Sequence, residues 1–197
     1  MANLIKILAI IATVSIAIST SFAGDIYKAN ASKSEVKWKA AKVSGEHWGY
    51  VGIKDGYLEL SDGNITGGKF NINMASLTVE DLEDAEWNGK LKGHLNSDDF
   101  FSTGTYKTAT LLIKDAKKVK GNEYKITGDL TIKGIKKPIT FPATIASEGD
   151  KITGTANIKV DRTKYDIKYN SGSFFENLGD KMIYDEFDLM VKLVANK

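Results

Sequence analysis

The sequence contains no cysteine, only two histidines and, among 27 cationic side chains, a single arginine, Arg162. Each scarcity excludes something. Without a thiol there is no disulfide, no iron–sulfur cluster, no thiolate zinc site and no cysteine nucleophile, so stability must come from burial and hydrogen bonding. With no cysteine after the N-terminal apolar run, a lipid-modified cysteine anchor is not expected. His47 and His94 stand far apart. Zinc held without thiolates would need carboxylates such as Asp98 and Asp99 beside His94. No metal and no cofactor are assigned. A net charge of +2 gives poor support for nucleic-acid binding. There is no Gly-x-Ser-x-Gly elbow and no Gly-Lys-Ser/Thr phosphate loop, so no catalytic residues are assigned. The acidic run Glu80, Asp81, Glu83, Asp84 and Glu86 reads as the solvated face of a helix.

The N-terminus reads as a targeting segment. Lys6 supplies a charged start, Ile7 to Ile18 is an apolar run too short for a bilayer span, and Ser21-Phe22-Ala23 is a small-x-small cleavage site. Residues 1–23 are expected to be a signal peptide. Residues 24–197 are then one exported domain, large enough for a sizeable core or a barrel with a cavity.

From Val36 onward the chain alternates. Val36, Trp38 and Ala40 take turns with lysines, and Phe70, Ile72 and Met74 with asparagines. Leu111 and Ile113 share a face. Ile126, Leu130 and their parity partners Tyr124, Gly128 and Ile132 form another row. Ile139, Phe141, Ala143 and Ile145 follow, then Ile152 to Val160 including Ile158, then Phe187 to Leu193. Asp25 to Lys33 reads as a loop or an edge. Asp55-Gly56 is a hairpin turn or a bulge. Pro142 marks an edge or a bulge. Short turns between about eight such strands predict antiparallel pairing with one face to water. A sandwich and an up-and-down barrel both fit, and long strands with one mid-chain helical insertion favour the barrel.

That insertion holds the most unusual stretch, Lys90 to Phe101. On a helix, Leu91 and Leu95 share one face, and Lys90 and His94 its neighbour. Thr78 with Asp81 resembles a capping box, which predicts a helix from about Val79. Gly89 and Gly93 align for a close backbone approach but argue against one continuous helix. Ser97 is placed as an N-cap, and Phe100 and Phe101 as a plug. The stretch is expected to close one end of the barrel and touch its contents.

Several runs together resemble the YceI family of exported, lipocalin-like, polyisoprenoid-binding proteins. They are Val36-Lys37-Trp38, Ser44-Gly45-Glu46-His47, Gly67-Gly68-x-Phe70, Met74-Ala75-Ser76-Leu77, Gly93-His94-Leu95-Asn96-Ser97-Asp98-Asp99-Phe100-Phe101, Leu130 to Gly134, and Asp161-Arg162-Thr163. The resemblance implies an all-β, eight-stranded antiparallel up-and-down (lipocalin-like) barrel with a short helical insertion over one end. It also implies a long apolar tunnel and no catalytic machinery. A long-chain lipid, isoprenoid or acyl, is the expected partner in the periplasm, for carriage or sequestration. No stable membrane span should remain after signal cleavage. A homodimer through an exposed strand or the helical side is compatible with the sequence.

Expected ligand contacts are the aromatics Trp38, Phe70, Phe100, Phe101, Phe141, Phe174, Phe175 and Phe187. The aliphatic rows add Ile72, Met74, Leu91, Leu95, Leu111, Ile126, Leu130 and Ile158. A closed core would use the same residue types, but the small residues Ala40, Gly128, Ala143, Gly154 and Ala156 on the inward parity favour a void. His94 either touches a head group or fixes the helical segment. Arg162 suits a phosphate head group, or an ion pair with Asp161 or Asp166. The alternative function is a structural or stress-protective envelope domain with a packed core. An enzyme would use His94 with Asp98 or Asp99.

Overall fold

The alternating rows become ten antiparallel strands in a computed structural model that describes residues 24–197. They are β1 (Asp25–Ala29), β2 (Glu35–Lys42), β3 (Gly45–Tyr50), β4 (Gly52–Ser61), β5 (Asn64–Asn73), β6 (Thr108–Lys120), β7 (Glu123–Ile132), β8 (Ile135–Glu148), β9 (Lys151–Asp161) and β10 (Ile183–Asn196). One α-helix is described, α1 (Ala85–Asn96). The signal peptide expected over residues 1–23 lies outside the described residues.

Ten strands trace eight paths. A single short turn, Ala31–Lys33, divides β1 from β2, and Val51 alone divides β3 from β4. Each path pairs with the next in sequence, and β10 pairs with both β1 and β2, which closes the ring. The closed eight-stranded barrel is therefore as expected. Asp25–Ala29 is not a loop: it pairs with β4 and β10 and completes the closure. Asp55-Gly56 is a bulge, seen as a register shift between Ile53 and Asp55 against β5. At Lys133-Gly134 both residues have positive φ, which a two-residue hairpin turn requires.

Pro142 does sit at an edge, but a local one. β8 pairs with β9 only from Ala143 to Glu148, so residues 135–142 lack a partner on that side. Both prolines fall in this unpaired stretch, where a missing N–H costs the ladder nothing.

All strand-connecting insertions lie at one end of the ring. Residues 74–107 join β5 to β6 and residues 162–182 join β9 to β10. The first insertion departs from expectation in three ways. Thr78 and Asp81 do not cap a helix; the Thr78 Oγ1 accepts from the Tyr50 N–H at 3.0 Å, and Asp81 accepts from the Trp48 N–H at 2.9 Å. Main-chain bonds from Thr78 to Tyr50 and from Glu80 to Trp48 make this segment a cover for the β3 edge. Asp84 is the true N-cap, accepting from the Glu86 and Trp87 N–H groups at 3.0 Å. Of the acidic run only Glu86 is on the helix.

Second, Gly89 and Gly93 do not interrupt α1, and they face open space rather than another backbone. Third, Ser97 ends the helix: its N–H and its hydroxyl both donate to the His94 carbonyl. Outside the insertion, on β7, Gly128 leaves no void. A Cβ there would lie 2.3 Å from the Leu112 carbonyl oxygen, so glycine is needed for close approach of β6.

Gly49 carries a similar demand. A Cβ would stand 2.0 Å from the Thr78 carbonyl oxygen, the atom that accepts from the Trp38 indole N–H at 2.9 Å. Gly49→Ala should push the cover off the β3 edge and cost about 2–3 kcal/mol, read as a lower urea midpoint. An unchanged midpoint would mean that the segment is not held there.

Candidate functional site: an apolar cavity beneath the insertions

Inward side chains fill the two ends of the ring differently. Toward the tight-turn end, Leu58, Ile126 and Ile152 are almost wholly buried, and Tyr27, Leu60, Ile65, Tyr124 and Ala195 pack around them. Toward the helix end the side chains do not meet. A cavity of about 200 Å³ remains. An engineered apolar void of roughly 150 Å³ stays dry and accepts a small apolar guest, so this one has room for such a guest. On β10 its wall runs from Ile183 to Leu193. The regularly paired part of that run, Phe187 to Leu193, alone spans about 20 Å along the strand, or about 15 Å along a barrel axis at the usual tilt. The void is thus elongated and blind at the tight-turn end.

The wall is apolar nearly throughout. Trp38, Phe70, Ile72, Met74, Leu111, Ile126, Leu130, Phe141, Ile158 and Phe187 line it from the strands. Leu95, Phe100 and Phe101 cover it from the first insertion, and Phe101 meets Phe187 edge-on at 6.3 Å. Ala40, Ala143, Gly154 and Ala156 contribute the small surfaces that leave it open. Wall residues not singled out as contacts from sequence include Val36, Ile139 and Leu193, which stand on the same parities, as well as Ile53, which precedes the β4 bulge, and Leu77, which lies in the first insertion. The signal was present, but parity cannot separate a wall from a core.

Four expected contacts lie elsewhere. Leu91 packs against the core without reaching the cavity. Phe174 and Phe175 are half exposed on the second insertion. His94 also stands off the cavity: its Nε2 pairs with the Asp99 carboxylate at 3.0 Å, and its ring meets Phe100 and Tyr169 edge-on at 4.9 and 4.6 Å. It staples the two insertions together, aided by Lys133, whose ammonium donates to the Asp98 carbonyl at 3.0 Å.

Arg162 borders the cavity but offers it no donor. Its Nε donates to the Tyr184 carbonyl at 3.0 Å, Nη1 to the Ile167 and Tyr169 carbonyls at 2.9 Å, and Nη2 to the Ile183 carbonyl at 2.8 Å. The remaining N–H direction faces Asp185, with Nη2 to Oδ1 at 3.5 Å. The ion-pair partner is therefore Asp185, neither Asp161 nor Asp166, and no N–H is left for a phosphate. Burial lowers the Arg162 pKa, while Asp185 and Asp161 oppose that effect. Beside it, burial and the nearby Asp161 push the Tyr165 hydroxyl up to about 12. Asp161 caps the turn onto Thr163. Burial would raise the Asp161 carboxyl, but the Thr163 hydrogen bonds and Lys164 bring it below its usual range.

Closed barrel and internal apolar cavity together define the class: a lipocalin-like β-barrel. The profile of the YceI-like domain matches residues 27–195, so the chain belongs to that family. It is 36% identical over 108 residues to Protein YceI of Escherichia coli O157:H7, a match covering 54% of this chain and 53% of that protein. The chain thus spans about half the length of those relatives. Among solved structures, BcnA of Burkholderia cenocepacia superposes with a TM-score of 0.63 at 22% identity, covering 85% of this chain and 99% of that one. A polyisoprenoid binding domain from Saccharophagus degradans gives 0.60 at 15% identity, covering 86% and 97%. These two establish likeness of fold.

Two predictions follow from the polar anchors. Arg162→Ala strands four carbonyls and Asp185, and should cost about 3–5 kcal/mol in urea unfolding; Arg162→Lys should not restore it, because an ammonium has too few donors. Whatever affinity is lost should be equal for anionic and neutral ligands of the same chain length, and a selective loss for the anionic one would restore the head-group role.

The second concerns Asp81. Burial raises its carboxyl, but the Trp48 N–H and then His47, 2.7 Å away, outweigh this and hold it below 3.8. Its stabilisation is thus present above pH 3.8, the unfolded value, and is lost as pH falls through the lower folded value. Asp81→Asn should remove that part of the acid dependence, measured as stability against pH from neutral downward.

Proposed function

We propose that this protein binds a long apolar chain, isoprenoid or acyl, inside the barrel without transforming it. One observation carries the reading: an elongated cavity whose wall presents no unpaired polar side chain. Burial alone is then the driving force. Each CH₂ removed from water contributes about 0.8 kcal/mol, so ten contribute about 8 kcal/mol before the losses of association are subtracted. Any polar head is expected to remain at the insertion end, outside the greasy wall. The family resemblance and the polyisoprenoid-binding neighbour agree with this class of ligand.

The alternative with a packed core is disfavoured by the void itself. The enzymatic alternative is disfavoured because His94 and Asp99 pair with each other away from the cavity. Cleavage after Ala23 and a periplasmic location are part of the proposal. Among the described residues no helix is long and apolar enough to cross a membrane.

Organic extraction or native mass spectrometry of protein purified from its own host should recover one long-chain molecule. Gly154 tests the cavity directly. A Cβ there would meet only ordinary contacts at 3.6 Å or more. Gly154→Leu should fold normally yet retain at least about tenfold less ligand, as a filled void loses its guest. Extraction without any lipid, or undiminished retention by the variant, would overturn the proposal.

A further inference from the structure

The phenylalanines at 174 and 175 turn away from the cavity, and each is 51% exposed. Two adjacent aromatic rings in water are unfavourable, yet the chain holds them there firmly. Ser171 is fully buried, and its carbonyl accepts from the Phe174 N–H at 3.1 Å and the Phe175 N–H at 2.9 Å. The Ser173 hydroxyl donates to Asp185 at 2.6 Å, and Asp185 faces Arg162. Ser171 also bridges to Ile183, which is part of the cavity wall. The turn is thus pinned to the same carbonyl-and-arginine cluster that borders the cavity.

We propose that this turn is a membrane wedge: Phe174 and Phe175 insert into the surface of a phospholipid bilayer and set the insertion end of the barrel against it. Three features favour a bilayer. The two exposed rings belong to one short turn, whereas a second protein surface would need a broader face. Half-exposed Tyr184 and Tyr169 stand at the same end, and Lys168 lies 5.1 Å from the Phe174 ring centre. Amphipathic rings with a lysine beside them are the composition of lipid–water interfaces. The four cationic and four acidic side chains of residues 161–182 cancel, so this segment suits a zwitterionic surface and gives an anionic one no net attraction.

The choice of a bilayer rests on the apolar-ligand reading, since such a ligand is supplied by or delivered to lipid. Co-sedimentation of the full mature protein with phosphatidylcholine vesicles, at low and high salt, tests the wedge. The wild type should partition onto the vesicles equally at both salt concentrations. Phe174→Ser with Phe175→Ser should lower the partition about 30-fold, with unchanged unfolding midpoint and unchanged extractable ligand, and leucine at both positions should retain most of it. No sedimentation by the wild type, equal partition by the serine variant, or binding only to anionic vesicles at low salt would overturn the wedge. So would a wild-type dimer, seen by light scattering, that the serine variant dissociates. Failure of vesicle binding with a lipid still extracted would sink the wedge alone; a lipid-free extract would sink the ligand.

Discussion

A ring of hydrogen-bonded strands has a circumference fixed by strand number, not by how well its side chains fill it. Once β10 meets β1 and β2, no strand pair can draw closer to close a gap. Side-chain volume alone then decides where the interior is solid. Leu58, Ile126 and Ile152 pack tightly toward the tight-turn end. Alanines at 40, 143 and 156 and glycine at 154 leave the space beside and above them open. The cavity is therefore built into the choice of small residues on the inward face of a frame that cannot collapse.

An open end needs a cover, and the cover needs its own polar accounting. The first insertion is held by donors and acceptors that would otherwise face water: the Trp38 indole, the Thr78 hydroxyl and the Asp81 carboxylate along the β3 edge. The second is held by Arg162, which gathers carbonyls from both sides of the insertion onto one planar group. A lysine could not do this, and the use of a single arginine in the whole chain fits one position where five fixed donors are required. His94 and Tyr169 then join the two covers.

The barrel was legible because its signal is periodic. Val36-x-Trp38-x-Ala40 and the rows on β5 to β10 fixed which side chains point inward, and most of these line the void. What was illegible depends on long-range partners. Thr78 and Asp81 have the spacing of a capping box, but the β3 edge, some thirty residues earlier, offered them unpaired N–H groups. Gly128 and Gly154 stand on one parity and read alike; only the closeness of the Leu112 carbonyl makes one a packing requirement and the other a void. Arg162 has the chemistry of an anion site, and the carbonyls that consume it lie within an irregular segment whose path no periodicity gives. Phe174 and Phe175 lie in that segment too, so composition could assign them to a wall they never reach.

Hollowness has a thermodynamic consequence. An unfilled void of about 200 Å³ forgoes about 5 kcal/mol at ~24 cal/mol per Å³. That is a large fraction of a domain's net stability, so the empty barrel must draw on its packed regions and its closed ring of strands. A guest chain restores contacts along the whole wall at once, and it binds the folded state only. Occupancy and stability are then one equilibrium, in which any ligand that fills the void also stiffens the covers that Leu95, Phe100 and Phe101 supply. A barrel of this design holds its guest by shape and greasiness. Release therefore requires an apolar destination that offers the chain as much as the wall does, since water at the mouth would return it.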